Sequence, residues 1–233
     1  VMGCLLICYA LEKAGTIRRI CMWFITTKVA RKSPWMFTFM LILSALVIAL
    51  FLDVAPAELF VLGIAHEMFE ILGFKKGDRW PRYVVVMIAF SAVIGFTMTP
   101  ICHTLPILWM SIYSGITGEP SNIVAYVGAA FPIGAIIWLA MMAWMKKVIK
   151  VDKDVPQLQN IDWTKVEAMK PGPMGKREKI VVAVSILLIL CWVIPSVISL
   201  VDPTNPFYLA MARLADSSFL FLAIVLLAIV KVD

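Results

Sequence analysis

The sequence predicts an all-α protein that crosses the membrane several times. Of its 233 residues, 62% are hydrophobic and only 15% are charged, whereas soluble domains are about half apolar and a quarter charged. Apolar runs recur at lengths near the roughly 20 residues that a helix needs to cross a bilayer. The short alternating strands of a membrane β-barrel are absent from the sequence. We therefore expect a polytopic bundle of helices.

Both ends of the sequence are apolar. It begins inside the run VMGCLLICYAL and ends directly after FLFLAIVLLAIV. Neither run has the pattern of a signal peptide. We therefore expect the chain to be part of a longer membrane protein.

Basic residues indicate the topology. Three stretches hold 19 of the 21 Lys and Arg residues: 13–32, 75–82 and 146–179. The connectors 115–122 and 202–206 hold none. Because Lys and Arg accumulate on the cytoplasmic side, we predict that the three basic stretches are cytoplasmic and that both connectors lie outside. The net charge of +6 thus reflects topology, and we expect no nucleic-acid partner.

Residues 33–74 lie between two cytoplasmic stretches, so this segment must return to the side where it starts. It has room for two arms of about 18 residues, roughly 27 Å each at helical rise. The break falls at LDVAPAE, where Pro56 lacks a backbone donor and disfavours helix at Ala55. We predict a re-entrant helical hairpin with its tip near Asp53. Two complete spans with a tight outer turn are the alternative.

The other segments follow from the same reasoning. Residues 16–30 are basic and aromatic, which favours a helix on the inner membrane surface. Outward runs are expected at 83–112 and 180–200, and inward spans at 123–145 and 207–230. The predicted divisions are 1–32 (end of a span plus interfacial helix), 33–74 (hairpin), 75–145 (broken helix and span), 146–179 (cytoplasmic loop) and 180–233 (two further spans).

The outward run 83–112 is predicted to be interrupted, because it contains Gly95, Pro100 and Pro106. Its stretch FTMTPICHT gathers hydroxyl, thiol and imidazole groups: Thr97, Thr99, Thr104, Cys102 and His103. Broken membrane helices expose the amide end of one half and the carbonyls of the other, which transporters use to hold substrates and ions. The two breaks therefore indicate secondary transport.

Asp53 is the most unusual residue of the hairpin. A carboxylate at the centre of a membrane helix costs about 2.5 to 3.5 kcal/mol on insertion scales, so it should face protein, an ion or water. Desolvation and a nearby cation would shift its pKa in opposite directions, which leaves a proton carrier and a cation ligand both open. Capping of the second arm is a further role, compatible with either.

Other reactive residues point to structural roles. His103 could titrate near neutral pH, but a hydrogen-bonded packing role is favoured. The motif HEMFE (66–70) lacks the second His of a zinc HExxH site, so we expect a wet helix end there. Arg213 and Asp216 are spaced to pair on one helix face.

Enzymatic function has little support in the sequence. Adjacent residues such as Cys102 and His103 point about 100° apart on a helix, which is poor geometry for a nucleophile and its base. The five cysteines form no paired metal motif. Nucleotide-binding and serine-hydrolase motifs do not occur. We expect no enzyme and no cofactor other than a sodium ion.

Four segments resemble a known family in order and spacing: ALEKAGTIRRICMWFIT (10–26), SPWMFTFMLILSALVIALFL (33–52), AFPIGAIIWLAMMAW (130–144) and PGPMGKREKIVVAV (171–184). The sequence resembles the divalent anion:sodium symporter family, within the wider ion transporter superfamily. The resemblance implies an inverted-repeat fold, a hairpin and a broken helix in each half, a homodimer and elevator-type movement. The chain would be the first repeat and the start of the second.

Two motifs depart from that family. Its hairpin tip carries Ser-Asn-Thr, where this chain has Asp53, Val54 and Ala55. Its broken helix reads approximately GGTGTxxGTPPN, and this chain reads GFTMTPICHTLP from Gly95 to Pro106. The first glycine and two threonines match, whereas Pro-Pro-Asn becomes Thr-Leu-Pro. Sodium coupling and dicarboxylate binding are therefore the features most open to change.

The sequence thus predicts a symporter of small anions, such as di- or tricarboxylates or inorganic anions, coupled to sodium or protons. The predicted substrate- and ion-binding residues are Asp53 (also as a sodium ligand), Val54, Ala55, Gly95, Thr97, Thr99, His103 and Thr104. The structural breaks are Pro56, Pro100 and Pro106. A non-transporting sensor or assembly protein is the alternative, favoured by loss of the tip motif. The expected partners are the anion, its coupling cation, the bilayer and a second copy.

Overall fold

A computed structural model describes residues 2–101, 103–118, 122–202, 204–212, 214 and 216–229. All regular elements in these ranges are helical, which confirms the predicted all-α class. The α-helices are α1 (Met2–Lys13), α2 (Thr16–Ile25), α3 (Pro34–Ala49), α4 (Val54–Ile71), α5 (Arg79–Met98), α6 (Thr104–Thr117), α7 (Ile123–Ile149), α8 (Val151–Asp154), α9 (Trp163–Ala168), α10 (Lys176–Val201), α11 (Pro206–Ala212) and α12 (Asp216–Ile229). Short 3-10 turns cover Ala30–Lys32 and Pro156–Leu158.

Three helical runs in the described ranges are long and apolar enough to cross a bilayer: Arg79–Met98, Ile123–Asp154 and Lys176–Val201. Shorter apolar helices cover Pro34–Ala49, Leu105–Thr117 and Ser218–Ala228. Together they agree with the predicted membrane protein. The inverted repeat stays a prediction.

The chain forms two compact units, which are described one at a time. The hairpin unit comprises Ile17–Met98 and Pro132–Gly172. The terminal unit comprises Val1–Thr16, Thr99–Phe131 and Pro173–Asp233. Helix α7 contributes its first part to the terminal unit and its remainder to the hairpin unit.

In the hairpin unit, α3 and α4 form a helical hairpin. Helix α3 begins with Pro34 after the cap residue Ser33, whose hydroxyl accepts from the Met36 amide at 3.2 Å. The Trp80 ring at the start of α5 lies 6.4 Å from the Phe37 ring, early in α3, and 5.4 Å from the Phe69 ring, late in α4. The open ends of both arms therefore lie together, and the chain turns at the opposite end, at residues 50–53.

The hairpin arms are short for membrane spans. They contain 16 and 18 residues, which is about 24 and 27 Å at helical rise, less than the roughly 30 Å of a hydrocarbon core. The choice between a re-entrant hairpin and two complete spans therefore stays a prediction.

Buried hydrogen bonds join neighbouring helices of this unit. They run between Cys21 Sγ and Ser44 Oγ (3.2 Å), from Trp80 Nε1 to Thr38 Oγ1 (3.0 Å), and from Trp138 Nε1 to Ser91 Oγ (2.8 Å). Such bonds between membrane helices contribute on average about 0.6 kcal/mol each. They fix the relative rotation of α2, α3, α5 and α7.

Helix α2 lies within residues 16–30, for which the sequence predicts a helix on the inner membrane surface, and its place in the membrane stays a prediction. Its buried face, which includes Ile17, Met22 and Ile25, joins the protein core, and Cys21 contacts α3. Trp23 is 63% exposed on another face, where an aromatic ring can lie at the membrane interface. Helix α2 therefore packs as part of the hairpin unit.

The predicted cytoplasmic loop contains a packed segment, residues 150–172. Its buried apolar side chains are Val151, Val155, Leu158 and Val166. The Asp152 carboxylate accepts from the Trp35 amide, 2.9 Å away, at the start of α3. The Trp163 ring packs edge-on against the Phe37 ring at 6.0 Å. This segment therefore packs against the open end of the hairpin.

The terminal unit is built around α1, α10 and α12. Its core consists of Ile7, Ile101, Val181, Leu188, Trp192, Leu220, Ala223 and Leu227. Asn122 fixes the start of α7, because its Oδ1 accepts from the amides of Val124 (2.8 Å) and Ala125 (3.0 Å). Its Nδ2 donates to the Ser196 carbonyl and the Ser199 hydroxyl of α10, at 2.9 and 2.7 Å. One amide side chain thus caps α7 and joins it to α10.

The predicted inward span 207–230 is not one continuous helix. It is divided into α11, of 7 residues, and α12, of 14 residues. The Leu214 amide closes a short turn onto the Met211 carbonyl at 3.0 Å. Arg213 and the Asp216 side chain lie outside what the structure describes, so their predicted pairing stays untested.

Candidate functional site: two half-helix starts

The hairpin tip joins the carbonyl end of α3 to the amide end of α4. Helix α3 ends at Ala49, and α4 begins at Val54 with Asp53 as its cap residue. The first amides of a helix have no partner within it, and they carry the positive end of the helix dipole. Pro56 is the third residue of α4 and has no N–H. The tip therefore presents two such amides, those of Val54 and Ala55.

Asp53 caps α4, as one of the sequence interpretations predicted. Its Oδ1 accepts from the Val54 amide at 2.7 Å. A capping side chain usually accepts from the second or third residue of the helix. Pro56 removes the donor at the third position, and in this structure the carboxylate binds the first amide, that of Val54. Asp53 thereby neutralises part of the positive helix end.

The second carboxylate oxygen of Asp53 is open to other partners. The residue is half-buried. Among the residues that the structure describes, no Lys or Arg pairs with Asp53, and the Val54 amide is the one donor to it. Oδ2 can therefore accept a proton, bind water or coordinate a cation.

Val54 and Ala55 place no polar side chain at the tip. Val54 is half-buried and Ala55 is exposed, while Ala57 in the next turn is fully buried. Any polar contact from the two residues must come from the backbone. The chemistry of the tip is thus one carboxylate and two amides.

Gly95 allows α5 to approach the last turn of α3, just before the tip. A Cβ built on Gly95 would lie 2.7 Å from the Leu46 carbonyl oxygen and 2.9 Å from the Ala49 Cβ. Neither neighbour is a flexible side-chain end that could move away. Thr97, two residues later, is exposed, and its hydroxyl donates to the Ile94 carbonyl at 2.8 Å.

The predicted break after Gly95 is confirmed. Helix α5 ends at Met98, and α6 begins at Thr104 after the extended cap residue His103. In the terminal unit, Thr99, Pro100 and His103 are buried. Cys102 and the Thr104 side chain lie outside what the structure describes, so the predictions made for them stay untested.

Helices α4 and α6 begin with the same pattern. In each, a cap residue is followed by two residues and then a proline: Asp53-Val54-Ala55-Pro56 and His103-Thr104-Leu105-Pro106. The cap carbonyl accepts from the residue after the proline, at 3.1 Å for Ala57 and 3.4 Å for Ile107. In both starts two backbone N–H groups precede the proline, and at α4 the first of them, that of Val54, already donates to Asp53 Oδ1. The pattern is visible in the sequence, because a proline follows each cap residue at the third position.

A cavity of about 490 Å³ lies beside the break within the terminal unit. Its lining includes Pro100, Trp192 and the hydroxyl-bearing residues Ser111 and Ser114 of α6. Small-molecule sites have volumes of about 300 to 1,000 Å³. Sequence reasoning missed these serines, because a hydroxyl pair on an apolar helix gives no motif.

The structure divides the predicted site residues between the units. The hairpin unit holds Asp53, Val54, Ala55, Gly95 and Thr97, and the terminal unit holds Thr99, His103 and Thr104. Within the hairpin unit, Gly95 contacts the last turn of α3, which ends one turn before Asp53.

The HEMFE motif has structural contacts. Both carboxylate oxygens of Glu67 accept from Arg18, at 3.0 and 2.7 Å. The His66 ring packs edge-on against the Phe69 ring at 5.6 Å. In the part of the chain that the structure describes, no group of three His, Cys, Asp or Glu residues is placed to hold a metal ion.

Comparison with known protein families identifies the family of this chain. The family model described as citrate transporter matches residues 1–232. The chain belongs to the citrate transporter family. The search of curated proteins found no match. As a member of the citrate transporter family, the chain is a membrane transporter component and not an enzyme.

Membership in the citrate transporter family confirms the predicted relationship to ion transporters. Broken half-helices with exposed amides are the elements that transporters use to bind anionic groups near mid-membrane. The narrower resemblance to divalent anion:sodium symporters stays a prediction.

Proposed function

We propose that this chain is the first-repeat part of a cation-coupled symporter for citrate or a similar di- or tricarboxylate. The observation that carries the proposal is the start of α4, where Asp53 binds the Val54 amide through one oxygen. A second oxygen and the Ala55 amide lie within the same turn. A cation ligand and an anion donor are therefore adjacent.

Electrostatics explain why such a site needs a cation. Two unit negative charges 4 Å apart repel by about 4 kcal/mol at an effective dielectric constant near 20. That repulsion would weaken carboxylate binding by roughly a thousandfold. A sodium ion on Asp53, or a proton, removes it. The cation and the anion would then bind together, which is the requirement for coupled transport.

The roles follow from this balance. Asp53 would hold the sodium ion or the proton, with help from the free carbonyls at the end of α3. The Ala55 amide would bind a substrate carboxylate, because the Val54 amide already donates to Asp53. Gly95 would position the tip, and the Thr97 hydroxyl would face the site. Thr99, His103 and Thr104 remain candidates on sequence grounds.

The proposal includes the assembly and its setting. The full-length protein would be a homodimer in the cell membrane, with residues 13–32, 75–82 and 146–179 in the cytoplasm. It would follow the inverted-repeat plan and elevator-type movement of the divalent anion:sodium symporters. The division of the chain into two compact units supports a moving part and a fixed part.

Uptake into liposomes tests the function. Full-length protein is reconstituted, and radiolabelled citrate uptake is measured with an inward sodium gradient, an inward proton gradient, or neither. We expect accumulation with one of the two gradients and none in empty liposomes. Equal, non-accumulating uptake in all three conditions would contradict coupling.

A non-transporting sensor is the second candidate, because Val54 and Ala55 offer no polar side chains at the tip. A sensor would bind citrate without moving it. Citrate binding by calorimetry together with the absence of uptake under every gradient would favour the sensor over the symporter.

A further inference from the structure

A groove on the outer face of the hairpin unit has the form of a lipid site. It lies between α5 and the later part of α7 and encloses about 720 Å³. At one end it is lined by Arg79, Arg82, Tyr83 and Trp144. Beyond them the lining is apolar and includes Phe90 and Ile137. The proposed transport chemistry uses none of these residues.

The apolar wall is exposed. Phe90 is 55% exposed and Ile137 is 53% exposed, while the side chain of Met87 is buried beneath them as the floor. From Arg82 to Ile94, α5 rises about 18 Å at helical spacing. Half of a roughly 30 Å hydrocarbon core is about 15 Å. The groove therefore matches the depth of one leaflet.

The two arginines keep charge available at the mouth of the groove. Arg79 donates to the Val148 carbonyl at 3.1 Å, and Arg82 donates to the Asp78 carbonyl at 3.4 Å. Among the described residues, neither guanidinium pairs with a carboxylate. The Asp78 carboxylate instead accepts from the Lys75 amide at 2.8 Å.

The surroundings add further positive charge. Lys75 and Lys76 line the neighbouring surface together with one acidic residue, Glu70, and Lys146 and Lys147 are in the last turn of α7. Tyr83 and Trp144 lie at the same end, where amphipathic rings favour the level of lipid headgroups. A basic mouth at headgroup depth above an apolar channel is complementary to an anionic lipid.

We propose that this groove binds an anionic phospholipid. The headgroup phosphate binds Arg79 and Arg82, and one acyl chain lies along α5 and α7 over Met87. A zwitterionic lipid carries the same phosphate, but its choline cation adds a positive charge to a mouth that is already basic, so an anionic lipid should be preferred. A carboxylate substrate would gain nothing from an 18 Å apolar wall, the rise estimated above from helical spacing. The inference does not depend on the transport activity.

Native mass spectrometry of the purified full-length protein tests the site. Phosphatidylglycerol and phosphatidylcholine with identical acyl chains serve as probes. A Lys or Arg near an anionic lipid surface contributes about 1 kcal/mol to binding. Two arginines should therefore give a roughly tenfold or greater preference for phosphatidylglycerol over phosphatidylcholine. Millimolar inorganic phosphate should not displace the bound lipid, since phosphate lacks the acyl chain.

Three variants separate the contributions. Arg79→Gln with Arg82→Gln should abolish the preference, and Arg82→Gln alone should reduce it without touching the Val148 contact. Val86→Trp fills the groove with both charges retained and should also reduce retention. The matched control, Lys28→Gln with Lys32→Gln, removes two exposed charges elsewhere in the same unit and should leave the preference unchanged.

Several results would overturn the proposal. Equal retention of phosphatidylglycerol and phosphatidylcholine by the wild-type protein would contradict it. A control variant that loses as much of the lipid preference as the arginine variants do would also contradict it. Unchanged binding in both Val86→Trp and the double arginine variant would show that the lipid binds elsewhere on the protein. Each variant should have the same thermal unfolding midpoint as the wild-type protein in lipid-free detergent, which would show that it folds.

Discussion

At the residue scale, the proposed binding site depends on single residues at the hairpin tip. Asp53 accepts from the first amide of α4, and Pro56 leaves the third position without a donor. The sequence predicted an unusual carboxylate at a break and left three roles open. Capping was one of these roles, and the sequence alone did not indicate which amide it would bind. The close approach at Gly95 could not be anticipated, because it depends on where α5 crosses α3.

Substitution of Gly95 tests that approach. Gly95→Ala places a methyl group against the Leu46 carbonyl and the Ala49 side chain. Overpacking of this kind costs about 1 to 3 kcal/mol, so we expect a lower unfolding midpoint in detergent. A displaced tip should also weaken citrate uptake.

Gly63→Ala is the matched control, because a Cβ there meets nothing within 4 Å. In a helix interior, alanine is favoured over glycine by up to about 1 kcal/mol, so the control should unfold at the same or a higher temperature. Equal destabilisation by both substitutions would contradict the proposed role of Gly95.

Among the elements, segment 150–172 differs most from its sequence prediction. Charge placed it on the cytoplasmic side as a loop, and short-range patterns gave no sign that it packs. Its anchors are non-local: Asp152 binds the Trp35 amide, and Arg31 lies over Trp163, 4.9 Å from the ring centroid. Basic residues that the topology argument counted as positive charge therefore also act as donors and ring contacts.

Loss of the Asp152 contact should loosen this segment. Asp152→Ala removes the acceptor for the Trp35 amide at the start of α3, a capping interaction worth about 0.5 to 2 kcal/mol. We expect a lower unfolding midpoint and faster proteolysis within 150–172. Asp154→Ala, on the same short helix and exposed, is the control. No difference between the two variants would argue against the cap.

Acid should loosen the same segment. Glu167 forms an ion pair with Arg31, and this contact holds the pKa of the Glu167 carboxyl below its usual value, with Lys170 adding to the effect. Since the folded-state pKa is lowered, the stabilisation is complete above the ordinary glutamate value, near 4.3. It is lost as the pH falls through the lowered value.

Proteolysis by pepsin between pH 5 and pH 3 measures this change. The wild-type segment should become more susceptible as the pH falls, and added salt should reduce the difference because the pair is exposed. Arg31→Gln should be more susceptible already at pH 5 and change less. The same pH dependence in both proteins would show that the pair does not stabilise the segment.

At the scale of the whole molecule, charge and proline positions predicted the order of helices well. The hairpin and the break near Pro100 follow from basic residues at the flanks and prolines at the turns, both local features of the sequence. The division of 207–230 into α11 and α12 was not anticipated, because the stretch is apolar apart from a short group of charged residues and serines between 213 and 218. Such helix boundaries depend on packing between segments that are distant in the sequence. Local patterns in a single sequence do not show this packing.

The family assignment connects these scales. A citrate transporter must bind an anion with several negative charges, and the start of α4 adds one more. In the proposed function, a cation neutralises Asp53 when the substrate binds. Coupling would then depend on one carboxylate, which lies at the hairpin turn just after the point where Gly95 lets α5 approach α3.

The most direct test compares Asp53→Asn with Glu58→Gln in full-length protein, by citrate uptake into liposomes as sodium concentration and pH are varied separately. Asparagine caps a helix as well as aspartate does, so the fold should be retained. We predict that Asp53→Asn loses the cation dependence and at least about tenfold of the uptake rate, as expected if about 1.4 kcal/mol or more of coupling is lost. Glu58→Gln, one turn later in α4, should behave as wild type. Unaltered rate and cation dependence in Asp53→Asn would contradict the account.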